Sequence, residues 1–427
     1  MQLEIEKLIY GGDGLARMPS SQAGSGKSVF VPFVLEGECV EAVRVEEKPG
    51  FIRASLESVL QASSHRVEPN CPYFQRCGGC HYQQAAYDRQ VAIKAEVLRE
   101  TLARTAKLDL PCELNIHQSS EWQYRNRTRL QVRTTPRQAV GYFRFRSHEV
   151  MPIEQCPISS PLINRAIQLL VRAEAGRMRD EIREIELFAN HQDEALLVSA
   201  FCAPGTRRAA ARELAERLRE LLPAVAGVTV FAQARTPADD LTQLASLGSD
   251  QLFYQTKEHG YRVSAGSFFQ VNRFLIDELV AIVTDGLSGN VAFDVYAGAG
   301  LFSAILARHF DQVIAVEASP KAWRDLKRNV SGIEVVHSTA ERYLARICLP
   351  APDLAVVDPP RPGLGKKVVE DLVRLGPVRI VYVSCDPATL ARDLGRFRDS
   401  GYRIERAHLI DFFPQTYHIE SVFHISR

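Results

Sequence analysis

Hydrophobic and polar positions change rhythm along the chain. Residues 1 to 62 carry short β-type runs, SVFVPFV (28 to 34) and CVEAVRV (39 to 45), separated by GGDG, AGSGKS and KPG. Such runs closed by glycine-rich turns predict a small β-barrel of hairpins. From Tyr87 to Ala106 apolar residues fall at Val91, Ala95, Leu98 and Leu102, the spacing of an amphipathic helix. Between Trp122 and about Ala265, strand-like alternation in RTRLQVR and EALLVSAFC mixes with a basic helical stretch near 206 to 221, which predicts an α+β region. After residue 290 the pattern becomes regular. VAFDVYAGAG, QVIAVEAS, IEVVHS, DLAVVDPP and VRIVYVSC alternate with helical stretches through Ala304 to His309, Trp323 to Asn329 and 366 to 374. That alternation predicts an α/β, Rossmann-like domain with a doubly wound, mostly parallel sheet.

A chain of 427 residues exceeds one compact core and suggests about three domains. The rhythm divides it into 1–62, a β-barrel; 63–265, a central α+β domain; and 266–427, the α/β domain. The helix 87–106 is a candidate to pack on the last of these. Charge is balanced, with 52 Lys plus Arg against 51 Asp plus Glu, so net charge names no polyanionic partner and its distribution must decide. SSQAGSGKS lacks the first glycine of a phosphate-binding loop, where Ser21 stands, and reads as a hairpin loop. MQLEIE lacks the basic start of a signal peptide and no long apolar run follows, so a cytoplasmic protein without membrane contact is expected. Nine cysteines, an odd number, fit metal binding or catalysis better than a disulfide framework.

Candidate chemistry gathers where the late strands end. Gly298 and Gly300 occupy the turn leaving the first of them, where missing side chains let backbone amides approach a ligand. Glu317 ends the second and can accept hydrogen bonds from ribose hydroxyls. Asp358 ends the fourth, in VVDPPRPG, whose prolines stiffen the loop over the crevice. Ser303 stands where a dinucleotide fingerprint has its third glycine, and the combination resembles S-adenosylmethionine-dependent methyltransferases. Cys385 ends the fifth strand in YVSCDPATL, on the same edge. A thiolate beside a methyl donor has a specific use: addition to C6 of a pyrimidine makes C5 nucleophilic, and a base then removes the C5 proton. Glu420 is the carboxylate of FFPQTYHIESVFHIS and the candidate base. A helix N-terminus after SCDPATL or a nearby cation is expected to favour the thiolate. Cys39, Cys112, Cys202 and Cys348 read as core fillers.

FFQVN (268 to 272), DVYAGAG, VEAS, VVDPPRPG, YVSCDPATLARDL and FPQTYHIESV, in this order, closely resemble the RNA uracil-5-methyltransferase family over nearly the whole chain. The resemblance implies Cys385 as nucleophile and Glu420 as general base, with Gln270, Tyr296, Glu317 and Asp358 contacting S-adenosylmethionine. Three positions depart from the family pattern: Asp386 where asparagine is usual, Ala297 for cysteine, and Leu301 for asparagine or threonine. An ionised Asp386 would oppose the thiolate unless it points away.

Cys71, Cys77 and Cys80 form C-x5-C-x2-C, and Cys156 could complete a set of four. Four thiolates suit zinc or a [4Fe–4S] cluster, and a tight knot plus one distant Cys-Pro favours the cubane. The resemblance narrows this further, since the branch acting on bacterial 23S rRNA has a similar cysteine pattern, a [4Fe–4S] cluster and an RNA-binding β-barrel, the TRAM domain. Because four cysteines would close every iron, a structural or RNA-positioning role is expected. From Trp122 to His148 the chain has seven arginines, interleaved aromatics and no acidic residue, which nominates Arg125, Arg127, Arg129, Arg133, Arg144 and Arg146 as RNA contacts. The expected enzyme is therefore a monomer that methylates C5 of a uridine, in 23S rRNA first and in tRNA as the alternative.

Overall fold

The computed structural model describes residues 1–18, 26–134, 139–172, 182–222, 224–233, 241–348 and 350–427. Most of the SSQAGSGKS hairpin loop therefore lies outside the described residues.

Five strands, Gln2–Leu8, Asp13–Arg17, Ser28–Pro32, Cys39–Glu47 and Phe51–Gln61, close into a barrel. Alternation explains the closure, because Leu3, Ile5, Val29, Val31, Val40, Ala42, Ile52 and Ala54 all turn inward and are buried. A seven-stranded sheet follows in the central region, in which Arg127–Arg133, Ile182–Ala189, Leu196–Cys202 and Val225–Ala232 lie side by side in that order. Helices Pro161–Arg172 and Arg208–Leu221 cover one face with Ile163, Ile167, Leu170 and Leu218. Its other face, with Phe188, Phe201 and Phe231, joins the core of the C-terminal sheet.

That C-terminal sheet has eight strands in the spatial order Glu334–His337, Phe310–Glu317, Gly289–Val295, Leu354–Val357, Arg379–Ser384, Glu420–Ser426, Arg403–Ile410, Leu114–His117. The order reverses between Gly289–Val295 and Leu354–Val357, the switch point at which a Rossmann-like sheet opens a crevice beyond its carboxyl ends. Glu420–Ser426 runs antiparallel to both its neighbours, so its first residue lies at the edge where the parallel strands end. Two pieces come from early in the sequence. The strand Leu114–His117 pairs with Arg403–Ile410, and the helix Tyr87–Ala106 packs on the helix Pro387–Asp399. One apolar cluster consequently runs from the barrel through Leu98 and Leu102 to Tyr382 and Phe423. Sheet faces must be covered, and here the amphipathic helix shares one apolar cluster with the C-terminal sheet and the barrel. Among the described residues no helix is long and apolar enough to cross a membrane.

Candidate active site at the carboxyl edge of the sheet

The turn after Gly289–Val295 is built on three left-handed residues in five: Tyr296 at φ 71°, Gly298 at 56° and Gly300 at 92°. Glycine serves different ends at the last two. A side chain on Gly298 would meet nothing, which leaves open space beside the backbone, whereas one on Gly300 would reach within 2.8 Å of Leu326 and 2.9 Å of Val330. Tyr296 has no such licence, and strain on a bulky residue at a strand end marks a constrained turn. Its N–H and that of Ala297 both donate to Val316 O, at 3.1 and 3.0 Å, which fixes the turn to the next strand.

Glu317 faces this turn. Its Oε2 accepts the Gly298 N–H at 2.8 Å and its Oε1 the Ser319 N–H at 2.6 Å, so the carboxylate is oriented before any ligand arrives. Behind the turn Asp294 is fully buried and accepts from Ser303 Oγ, while its Oδ1 has no protein partner. Burial raises Asp294 to about 6. Asp358 is raised to about 7, by burial first and then by the Asp294 charge. Gln270 is buried in the loop between Ser267 and Asn272. That loop is tied down by Asn272, whose Nδ2 donates to Ser119 Oγ at 2.9 Å and to Phe412 O at 3.0 Å.

Cys385 and Glu420 meet through strand register. Ser384 pairs with Ser421 across antiparallel strands, so the next residue of one, Cys385, stands beside the preceding residue of the other, Glu420. Burial lifts the Glu420 carboxyl well above the usual range, and Asp358 adds to it. The Cys385 thiol is pushed up to about 12, by burial first, then by Glu420 and Asp358; Arg361 pulls it down, and Asp386 adds least. The expected cation and helix N-terminus are both present, in Arg361 and Pro387–Asp399, yet the thiol is raised. Burial among three carboxyls outweighs them. Asp386 is the N-cap of that helix, with Oδ1 accepting from Ala388 N at 3.0 Å and Thr389 N at 2.9 Å. Its other oxygen, Oδ2, accepts from the hydroxyl of Tyr10 in the barrel at 3.1 Å.

A family model for tRNA (uracil-5-)-methyltransferases matches residues 86–347 and 350–427. The chain belongs to the RNA uracil-5-methyltransferase family. An uncharacterized RNA methyltransferase of Aquifex aeolicus is 32% identical over 431 residues, covering 99% of this chain and 97% of the relative. Another from Streptomyces avermitilis is 34% identical over 447 residues, covering 99% and 96%. Among solved structures, the Pyrococcus abyssi tRNA (uracil-54, C5)-methyltransferase, in complex with S-adenosyl-L-homocysteine, superposes with a TM-score of 0.76 at 24% identity over the full length of both chains. That likeness shows the fold.

Elsewhere in this RNA methyltransferase, Cys71, Cys77, Cys80 and Cys156 line one cavity of about 240 Å³, together with Gln83, Arg125 and Tyr142. Asn164, on the helix Pro161–Arg172, holds Cys156 in place, its Oδ1 accepting the Cys156 N–H at 2.7 Å and its Nδ2 donating to Cys156 O at 3.0 Å. Burial raises Cys71, Cys77 and Cys80, Cys77 to about 11. Among the described residues, no three Cys, His, Asp or Glu side chains gather closely enough for a single metal ion. The four thiols therefore share a cavity without converging on one point.

Four of the described arginines of the segment 122–148 pair with carboxylates that lie outside it. Arg127 and Arg129 pair with Glu186, at 2.6 and 3.0 Å, and lie over the rings of Phe188 and Phe201. Arg125 lines the cysteine cavity, its Nε without a hydrogen-bond partner, and Arg133 is half-buried at the end of its strand. Arg144 pairs with Glu149, and exposed Arg146 reaches Asp13 of the barrel at 2.5 Å. Sequence reasoning missed Asp294, Arg361 and Tyr10. An acidic residue inside the apolar run VAFDV was the available signal for Asp294; for Tyr10, far from the site in sequence, there was none.

Proposed function

We propose that this enzyme methylates C5 of a uridine in RNA, using S-adenosylmethionine, with Cys385 as nucleophile and Glu420 as base. The observation that carries the reading is the register that sets Cys385 beside Glu420 on the edge shared by Gly298, Glu317 and Asp358. The open space at Gly298, the pre-oriented Glu317 carboxylate and the half-buried Asp358 fit a cationic nucleoside donor; Tyr296 stands in the same turn, and the family resemblance adds Gln270. When bound, S-adenosylmethionine supplies an electrophilic methyl group on a sulfonium. Glu317 holds the ribose through its free lone pairs, while Asp358 faces the donor.

Cys385 gives up its proton to solvent and its sulfur bonds to C6 of the uracil, the C5–C6 π pair moving to the C5–C4 enolate. The enolate pair would form a bond from C5 to the donor's methyl carbon while the methyl–sulfonium bond breaks and its electrons stay on the sulfur of the departing neutral thioether, so that C5 carries both its hydrogen and the new methyl group. Glu420, ionised, takes that hydrogen as a proton; the C5–C6 double bond reforms and the C6–S bond breaks to return the thiolate. The uridine must leave its stack to present both carbons, at a cost of a few kcal/mol that looped RNA reduces.

The four-thiol cavity supports a [4Fe–4S] cluster held by Cys71, Cys77, Cys80 and Cys156. Thiols spread around a space suit a multi-iron cluster better than one ion, and Arg125 at its wall offers countercharge to an anionic cluster. No catalytic step needs it. The resemblance of this cysteine set and barrel to the 23S rRNA branch makes 23S rRNA our first substrate and tRNA the alternative, and our reading is of a monomer working in the cytoplasm. Arg144 and Arg146, at the surface, are the RNA contacts we favour among the six; Arg127 and Arg129 support the sheet.

Substitution and trapping test the mechanism. Cys385→Ala should abolish methylation, and Glu420→Gln should accumulate a covalent protein–RNA adduct stable on denaturing gels. RNA containing 5-fluorouridine should trap the wild type, because no base can remove fluorine from C5. Full activity in Cys385→Ala would reject the nucleophile. Labelled donor offered with separated rRNA and tRNA identifies the substrate.

A further inference from the structure

Asp386 is an acidic residue directly after the nucleophile, where its charge would oppose a thiolate. Both its oxygens are occupied. Oδ1 receives two backbone amides of the helix Pro387–Asp399 and the Thr389 hydroxyl at 3.2 Å. Oδ2 receives the Tyr10 hydroxyl at 3.1 Å, from a residue outside the catalytic sheet and 376 positions away in sequence. The Tyr10 ring is held in turn, edge-on to Tyr417 with centroids 5.6 Å apart, three residues before Glu420. Tyr10 thus touches the segments that carry both proposed catalytic residues.

We propose that Tyr10 is a positioning residue supplied by the barrel, whose hydroxyl anchors the Asp386 carboxylate and so screens its charge from the Cys385 sulfur. The helix amides and Arg392 also act on Asp386; Glu420, Asp358 and Arg361 act on the thiol; Tyr417 and Arg361 act on Tyr10. Hydrogen bonds to an ionised oxygen disperse its charge, and a helix N-terminus does the same. Loss of the hydroxyl leaves one oxygen free to turn toward the sulfur.

The consequence for methyl transfer rests on Cys385 being the nucleophile, so the test reads the thiol itself. Full-length protein, without RNA or methyl donor, is alkylated with iodoacetamide across a pH series, and the Cys385 peptide is quantified by mass spectrometry. Tyr10→Phe, which keeps the ring, should move the labelling midpoint to higher pH and slow labelling about three- to tenfold at a given pH below it. Adding Asp386→Asn, which keeps the cap, should return the profile close to wild type. An unmoved profile in Tyr10→Phe, or a double variant that stays shifted, overturns the proposal. Should Tyr10→Phe fail to fold, Asp386→Asn alone decides. Little change supports screening, and a fall of about a full unit shows an unscreened charge and overturns it. An active Cys385→Ala would reject the mechanism and leave these titrations standing.

Discussion

Asp358, half-buried, and Glu420, buried, are carboxyls at the edge where the proposed mechanism needs a base. Both are raised, Asp358 to about 7, and the adjacent thiol to about 12, so at neutrality the ligand-free edge keeps the Cys385 proton and Asp358 is only partly ionised. The proposed chemistry needs the ionised thiol and carboxylate. Single-turnover methylation should therefore rise with pH through neutrality instead of levelling off in the ordinary carboxylate range near pH 4–5. A profile flat from about pH 6 upward would contradict this. Stability runs the other way. Asp358 binds its proton at about 7 in the folded protein against 3.8 in the unfolded chain, so its favourable contribution is full below 3.8 and is lost as pH rises through 7. Asp358→Asn, which cannot ionise, should raise the thermal midpoint over wild type by about twofold more at pH 8 than at pH 5. Equal gains at both would dismiss the Asp358 carboxyl as the cause. The residue types here were legible in the sequence, since VVDPP, YVSC and HIESV each set a chemically capable side chain, Asp358, Cys385 or Glu420, against an apolar stretch. Their proton affinities were not. These come from how many carboxyls the fold crowds together without water.

At the level of elements, the strand–turn–helix unit from Gly289 to Leu306 shows how packing fixes a turn. Gly300 combines a left-handed backbone with a site where an added Cβ would press on Leu326 of the helix Pro320–Asn329 and on Val330 just after it. Gly300→Ala should cost roughly 2–4 kcal/mol of stability, the sum of left-handed strain and overpacking, read by urea unfolding. Gly298→Ala meets no atom and should cost only its backbone strain, about 1–2 kcal/mol. A larger loss at Gly298 would reverse this assignment. Periodicity placed the parallel strands and the helix Tyr87–Ala106 well, because both have an apolar face that repeats. It did not reveal that Leu114–His117 extends the C-terminal sheet. Four residues carry too little pattern, and a partner at Arg403–Ile410 is beyond any local window.

Across the whole molecule, three regions converge on the loop before Glu420. Lys94, buried in the amphipathic helix, donates to Asp411 at 2.6 Å and to Phe413 O at 2.9 Å. His81 and Tyr82, next to Cys80, both donate their N–H to Gln415 O, at 2.8 and 3.0 Å, and Tyr124 donates to Pro414 O at 3.1 Å. A cluster in the cysteine cavity would therefore brace this loop. Cys156→Ser should lower bound iron and acid-labile sulfide, and hydrogen exchange should speed at residues 411–419. Exchange there unchanged after metal loss would separate the cavity from the active edge. By itself, the sequence determined the order of strands and helices, the glycine turn, and which residues could be nucleophile, base and thiol ligands. Those follow from local spacing and side-chain chemistry. Tertiary structure decided which of them share a site: that Cys385 stands beside Glu420, that Arg127 and Arg129 belong to Glu186, and that a barrel tyrosine holds Asp386. Register and charge pairing between distant segments arise only when the sheets assemble, since no local stretch contains both partners.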